Sequence, residues 1–145
     1  MSWAYFDTSA LVKRYVDEEG RAKVLQLLRR HQCVTSALLP VEFRSALRRR
    51  VSDGSLEARR TPEVWKRFVT DREFWAHIDI TDEVLRTAEK LVASYPLRTL
   101  DAIHVASAQL FAERLVDAEL TFVGADARQR AVAAAVGMAT EDLGA

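Results

Sequence analysis

Four acidic side chains stand where a folded chain can bring them together for chemistry. Asp7 directly follows an apolar run, and Asp126 lies just past a second such run. Glu42 and Asp101 each come two residues after the predicted start of a helix. Ligands of open α/β sheets bind beyond the carboxyl ends of parallel strands, so the four acids are candidates for one shared pocket. Each acid also has a purely structural explanation, because a carboxylate at a helix N-terminus caps the helix and complements its dipole.

Carboxylates that converge in this way predict a divalent cation. Two like charges about 4 Å apart repel by about 4 kcal/mol at an effective dielectric near 20, and they raise one another's pKa unless a cation intervenes. No lysine or arginine is adjacent in sequence to Asp7, Asp101 or Asp126. Arg44, near Glu42, is the only close basic neighbour. Hard carboxylate oxygens select Mg²⁺ or Mn²⁺, and such ions activate water for attack on a phosphodiester.

Alternating strands and helices must position these acids. Apolar, β-branched or alternating runs predict strands at 3–6, 33–35, 76–80 and 120–123, with a short edge strand at 138–140. Amphipathic segments between them predict helices, with Pro40, Thr81 and Thr99 at helix starts. The pattern predicts an α/β fold: a central, mostly parallel twisted sheet of four to five strands with helices on both faces. We find no repeat, linker or low-complexity segment, and therefore expect a single domain over residues 1–145.

Composition excludes several classes of protein. The 145 residues carry 21 Lys and Arg against 21 Asp and Glu, so a generally basic nucleic-acid binder is disfavoured. Segment 44–72 has nine basic and four acidic residues, whereas 101–145 has three basic and seven acidic ones. A lone cysteine, Cys33, excludes an internal disulfide and a multi-cysteine zinc site. The longest apolar stretch, 131–139, is too short for a membrane span, and no secretory signal opens the chain, so we expect a cytoplasmic protein without membrane contact.

Four segments of the chain, in this order, resemble the PIN-domain ribonucleases, and more narrowly the VapC toxins of bacterial type II toxin–antitoxin systems. They are YFDTSALVKRY (5–15), PVEFRSALRR (40–49), LDAIHVASA (100–108) and FVGAD (122–126). The resemblance implies a PIN-like fold and an endoribonuclease that depends on Mg²⁺ or Mn²⁺. It implies an acidic catalytic and metal-binding pocket made of Asp7, Glu42, Asp101 and Asp126. It further implies an RNA substrate, a homodimer and a VapB-type antitoxin as partner.

One residue departs from the family pattern. Many relatives carry a threonine or serine two residues before the fourth acid, and this chain has Gly124 there. A hydroxyl that would orient a metal-bound water is therefore missing. His104, three residues after Asp101, has the spacing of a joint metal site, but a packed helix position with one satisfied nitrogen is the favoured interpretation. The arginines at 48–50 and 59–60 fit RNA phosphates and a helix C-terminus equally well.

Three functions remain open at this point. The leading one is a metal-dependent endoribonuclease in which external water leaves a 5′-phosphate and a 3′-hydroxyl. The alternative is a catalytically silent PIN-like module that binds RNA or a partner. A phosphoryl-transfer enzyme or receiver domain built on Asp7 is disfavoured, because none of the lysines (Lys13, Lys23, Lys66, Lys90) follows a late strand.

Overall fold

Five parallel strands form one sheet in the order β3-β2-β1-β4-β5, in a computed structural model that describes residues 1–144. The strands are β1 (Trp3–Phe6), β2 (Gln32–Ser36), β3 (Ala76–Ile78), β4 (Leu120–Val123) and β5 (Ala139–Glu141). The helices are α1 (Thr8–Val12), α2 (Arg21–Arg30), α3 (Leu39–Ser52), α4 (Thr61–Asp71), α5 (Asp82–Ser94), α6 (Thr99–Arg114) and α7 (Ala127–Ala135). This arrangement confirms the predicted α/β class and gives the larger of the two expected strand counts.

The central strand, β1, divides the core into two apolar clusters. It pairs in parallel with β2 on one side and β4 on the other. Ala4 and Phe6 belong to one cluster and Tyr5 to the other, as the alternation of side chains along a strand requires. All three are completely buried, because helices cover both faces of a parallel sheet.

Most predicted element boundaries agree with the structure. Strands β1 and β4 have the predicted ends, and Thr81 caps α5 by accepting a hydrogen bond from the Val84 N–H at 3.2 Å. Strand β3 is shorter than predicted and ends at Ile78. The chain turns there, because the Thr81 N–H donates to the Asp79 carbonyl at 3.1 Å before α5 begins. No helix within residues 1–144 is both long and apolar enough to cross a bilayer.

A group of aromatic rings fixes α3 and α4 against the first helix. The rings of Phe43 and Phe68 are stacked with centroids 4.0 Å apart, and Tyr15 meets both edge-on. Phe43 and Phe68 are fully buried. Trp65 lies beside Phe68 and carries the Arg44 guanidinium 3.6 Å above its ring. Arg44 therefore stacks on an aromatic surface, and α3 is held at a fixed orientation by apolar packing.

Replacing Phe68 by alanine is expected to lower the free energy of unfolding by about 3–5 kcal/mol, since it empties a ring-sized volume in the core. Urea denaturation followed by circular dichroism measures the change. Phe74→Ala is the control, because Phe74 is 83% exposed and its truncation should leave stability nearly unchanged. Equal losses in the two variants would contradict this assignment of the core.

Candidate active site

Two of the four acids follow neighbouring strands at the same edge of the sheet. Asp7 extends β1, and its N–H donates to the Val123 carbonyl of β4 at 3.0 Å. The Asp7 carboxylate then caps α1, since Oδ1 accepts the Ala10 N–H at 3.1 Å and the Ser9 hydroxyl at 2.7 Å. Asp126 caps α7 by accepting the Arg128 N–H at 2.8 Å. The capping explanation is therefore correct for both residues, and it fixes their carboxylates at this edge.

The other two acids lie in the first turns of α3 and α6. Glu42 and Asp101 join Asp7 in lining one cavity of about 800 Å³. Asp126 lines a neighbouring cavity of about 350 Å³, which shares Asp101 and Arg98 with the first. The fold thus brings all four predicted residues to one edge of the sheet, with Asp126 on the far side of an arginine.

A chain of hydrogen bonds that begins in the sheet holds the Glu42 side chain in place. Its Oε1 accepts the Thr8 hydroxyl at 2.8 Å and lies 2.6 Å from His104 Nε2. The other ring nitrogen of His104, Nδ1, lies 2.7 Å from the Tyr5 hydroxyl. His104 is 2% exposed, so this chain runs from the core of the sheet to the cavity. Only Oε1 of Glu42 is used, and Oε2 takes no hydrogen bond from the described residues.

Burial and charge set the ionisation of this group. Burial raises the pKa of Asp7, and the contacts with His104, Ser9 and Ala10 offset that effect only in part. Burial opposes ionisation of Glu42 as well, but the hydrogen bond and positive charge of His104 outweigh it and lower the Glu42 pKa. Burial disfavours the His104 cation, yet its bond to Glu42 and the negative charge of Asp7 raise its pKa overall. The geometry suits an ion pair between Glu42 and a protonated His104, whose Oε1 and Nε2 atoms are 2.6 Å apart, whereas burial leaves the Asp7 carboxylate with a raised pKa.

An arginine that sequence adjacency does not reveal lies among the acids. Arg98 is the residue before α6, and its Nε lies 3.3 Å from Asp101 Oδ2. Its Nη2 lies 3.8 Å from Asp126 Oδ2. The side chain is 85% exposed, so such contacts are weak and readily exchanged in water. The expectation that only Arg44 is a close basic neighbour is therefore wrong. Arg128 is as near to Asp126 in the sequence as Arg44 is to Glu42, and the turn into α6 places Arg98 beside Asp101.

The donor types at this edge fit a hard divalent cation. Asp7 Oδ2, like Glu42 Oε2, takes no hydrogen bond from residues 1–144, and both side chains line the larger cavity. Oxygen ligands of this kind are those that Mg²⁺ and Mn²⁺ prefer. Within the same residues, however, no three His, Cys, Asp or Glu side chains are close enough together to enclose a metal ion. An ion held here would therefore be bound through one or two carboxylates and would keep several waters, as Mg²⁺ usually does.

Two residues of the site were not predicted to take part in it. His104 was expected to be a packed helix residue with one satisfied nitrogen, whereas both nitrogens have partners. Tyr5 looked like an ordinary strand residue. The signal for His104 was its position three residues after Asp101, which places it on the same helix face. No local signal links Tyr5 to His104, since 99 residues separate them.

The chain thus combines a parallel α/β sheet with acidic side chains along the carboxyl edge of that sheet. Two of these acids follow strand ends, and two lie at helix starts. Residues 4–135 match the family model described as PIN domain, and the chain belongs to the PIN domain family. PIN domains are generally nucleases. A solved toxin–antitoxin complex from Klebsiella pneumoniae contains a chain that is 22% identical over 88% of this chain and 90% of that chain, with a TM-score of 0.61. That likeness shows the fold. No curated protein sequence matches the chain.

Replacing Asp7 by asparagine is expected to stabilise the metal-free protein at neutral pH. The folded-state pKa of Asp7 is raised above its unfolded value, so ionised Asp7 favours unfolding when the pH exceeds both values. Asparagine keeps the cap of α1 without the charge. The advantage of Asp7→Asn should be absent at about pH 3, below both pKa values. It should grow as the pH rises through the folded-state pKa and stay constant above it.

Thermal unfolding in a chelator-containing buffer, repeated over a pH series, measures this difference. Glu119→Gln is the control, because Glu119 is exposed and lies just before β4, at the opposite edge of the sheet. A lower unfolding midpoint for Asp7→Asn than for the wild type at pH 7 would show that the buried carboxylate is not a cost to the fold.

Proposed function

We propose that this chain is an endoribonuclease that hydrolyses RNA phosphodiester bonds with Mg²⁺ or Mn²⁺, and that it acts as a VapC-type toxin. The observation that carries the proposal is the cavity of about 800 Å³ that Asp7, Glu42 and Asp101 share. Arg49, Arg50 and Arg98 line the same cavity. Acidic groups at its base and guanidinium groups around it suit a cation and a polyanion that bind side by side.

The acidic residues have separate roles in this proposal. Asp7 and Asp101 would hold the ion, with Asp126 joining them when Arg98 moves away. A bound divalent ion lowers the pKa of water and neutralises charge on the phosphate. Glu42 is fixed through Oε1 by Thr8 and His104, which leaves Oε2 to accept a proton from the attacking water. Water that comes from outside the RNA would leave a 5′-phosphate and a 3′-hydroxyl.

The basic residues would bind the RNA backbone. Arg98 is 85% exposed, and only its Nε hydrogen-bonds to Asp101, so its other N–H groups are available to a phosphate. Arg49 is exposed on α3, and within residues 1–144 its side chain hydrogen-bonds only to Ser45 of its own helix. Guanidinium groups bind phosphate oxygens in pairs and carry no sequence information. These contacts give affinity that falls with salt, and the choice of RNA sequence must come from other parts of the surface.

A protein partner is part of the proposal. The structural neighbour is one component of a toxin–antitoxin complex, which supports a VapB-type antitoxin for this chain. Val41 and Leu100 line the cavity and are 74% and 46% exposed, and an apolar rim of this kind suits a partner chain. The homodimer expected from the family resemblance and a location in the cytoplasm belong to the same proposal.

The purified chain, freed of any partner, is expected to cut single-stranded RNA internally when Mn²⁺ or Mg²⁺ is added, and to stop when the ion is chelated. Asp7→Asn and Asp101→Asn should each lower the rate by at least about 100-fold, because loss of an ion ligand removes several kcal/mol of charge stabilisation. Sequencing of the cleaved ends measures both the cut sites and the terminal groups.

Glu119→Gln serves as the matched control and should cut at the wild-type rate, because its carboxylate lies at the other edge of the sheet. Wild-type protein that binds RNA but leaves it intact with either ion would instead identify a catalytically silent module. Cleavage that persists in Asp7→Asn would show that the acidic cavity does not take part in the reaction.

A further inference from the structure

Gly124, the residue that departs from the family pattern, has no room for a side chain. Its backbone lies outside the left-handed region, which among the described glycines holds Gly20, Gly54, Gly137 and Gly144. A Cβ built on Gly124 would lie 2.9 Å from Gln129 Oε1 and 3.0 Å from Phe122 Cε1. Both distances are shorter than an ordinary van der Waals contact. The Gln129 carboxamide therefore occupies the room that a side chain at position 124 would need.

The Gln129 side chain makes one hydrogen bond among residues 1–144, although its carboxamide can make several. It lies in the first turn of α7 and is completely buried. Its Nε2 donates to the Asp101 carbonyl at 3.3 Å, which ties α7 to the first turn of α6. Its Oε1 is buried and has no hydrogen-bond partner among residues 1–144. Burial of a carbonyl without a partner destabilises the fold, and an apolar side chain of similar size would avoid that penalty.

The unpartnered oxygen lies near the Asp7 carboxylate. The point 2.9 Å from Gln129 Oε1, where a Gly124 Cβ would be, is also 3.6 Å from Asp7 Cγ. The Gly124 segment is held on both sides: the Arg130 guanidinium donates to the Gly124 carbonyl at 2.9 Å, and the Ala125 N–H donates to Ser9 Oγ at 3.3 Å. Ser9 in turn donates to Asp7. The buried Gln129 oxygen and the buried Asp7 carboxylate therefore both lie close to Gly124, and hydrogen bonds hold the Gly124 segment in place.

We propose that Gln129 is a positioning residue of the acidic site, and that its carboxamide takes the role of the hydroxyl missing at position 124. Oε1 accepts one hydrogen of a water molecule whose other hydrogen is donated to the Asp7 carboxylate. A water held in this way would keep its lone pairs free for a divalent ion bound by Asp7. The inference rests on the proposed function, since it assigns Gln129 a task only if the site binds such an ion.

The direct test is a Mn²⁺ titration by isothermal calorimetry of the wild type and Gln129→Leu. Leucine removes both polar atoms and is one bond shorter. We expect the Mn²⁺ affinity to fall about 10-fold or more, as is usual when a group that orients the inner ligands is removed. The unfolding midpoint in chelator should stay the same or rise, because an unpartnered carbonyl has been removed. Gln109→Leu is the matched control, since Gln109 Oε1 is also buried without a partner among residues 1–144 and the side chain lines a separate cavity with Thr87 and Lys90 of α5.

A second pair of variants separates positioning from packing. Gly124→Ser alone should weaken Mn²⁺ binding, because its Cβ displaces Gln129 Oε1. The double variant Gly124→Ser with Gln129→Leu should recover most of the affinity, since a hydroxyl then occupies the space of the carboxamide. Should Gln129→Leu fail to fold, Gly124→Ala carries the test, as its methyl group displaces the same oxygen.

The outcomes distinguish this inference from the function on which it rests. Wild-type affinity in Gln129→Leu, or an equal loss in Gln109→Leu, would overturn the role of Gln129 and leave the nuclease proposal standing. Absence of Mn²⁺ binding in the wild type itself would overturn the metal-dependent function and the inference with it. Additive losses in the double variant would show that positions 124 and 129 act separately, which also contradicts the proposal.

Discussion

The burial of a carboxylate at the edge where parallel strands end is the constraint on which this molecule depends. Parallel strands end at one edge, and the chain places Asp7 there with only 5% of its surface exposed. Burial raises the pKa of this group, so the fold carries an ionised acid at a cost. The surrounding groups reduce that cost without removing it: the Ser9 hydroxyl and the Ala10 N–H donate to Asp7, and Arg98 lies between Asp101 and Asp126. The fold is thus prepared to gain free energy from an added cation.

The layout of the fold could be predicted from hydrophobic periodicity, because buried parallel strands and amphipathic helices have distinct patterns. The strand ends at Phe6 and Val123 and the cap at Thr81 follow from local chemistry. The four acids could be found for the same reason, since each is tied to the end of a strand or the start of a helix. What local chemistry cannot show is a contact between distant segments. The bond from Tyr5 to His104 depends on how α6 packs against the sheet, and the close approach of Gln129 to Gly124 depends on the turn from β4 into α7.

Arg98 shows that separation along the sequence does not tell which basic side chain lies beside which acidic one in the fold. It is three residues from Asp101, and the extended backbone at Arg98 followed by the first turn of α6 brings its side chain back over the acid. Arg44 is only two residues from Glu42, but it points the other way and stacks on Trp65. Helix geometry therefore decides which base meets which acid.

The central position of β1 in the sheet has a consequence for how the protein folds during synthesis. Its two neighbours, β2 and β4, lie about 30 and about 115 residues further along the chain. Contacts of such unequal separation form at different times, since closing the longer loop costs more entropy. A chain still attached to the ribosome and ending before β4 lacks the strand that orients Asp7, together with Asp126 and Gln129. Synthesis itself therefore delays assembly of the acidic edge until β4 and α7 have emerged.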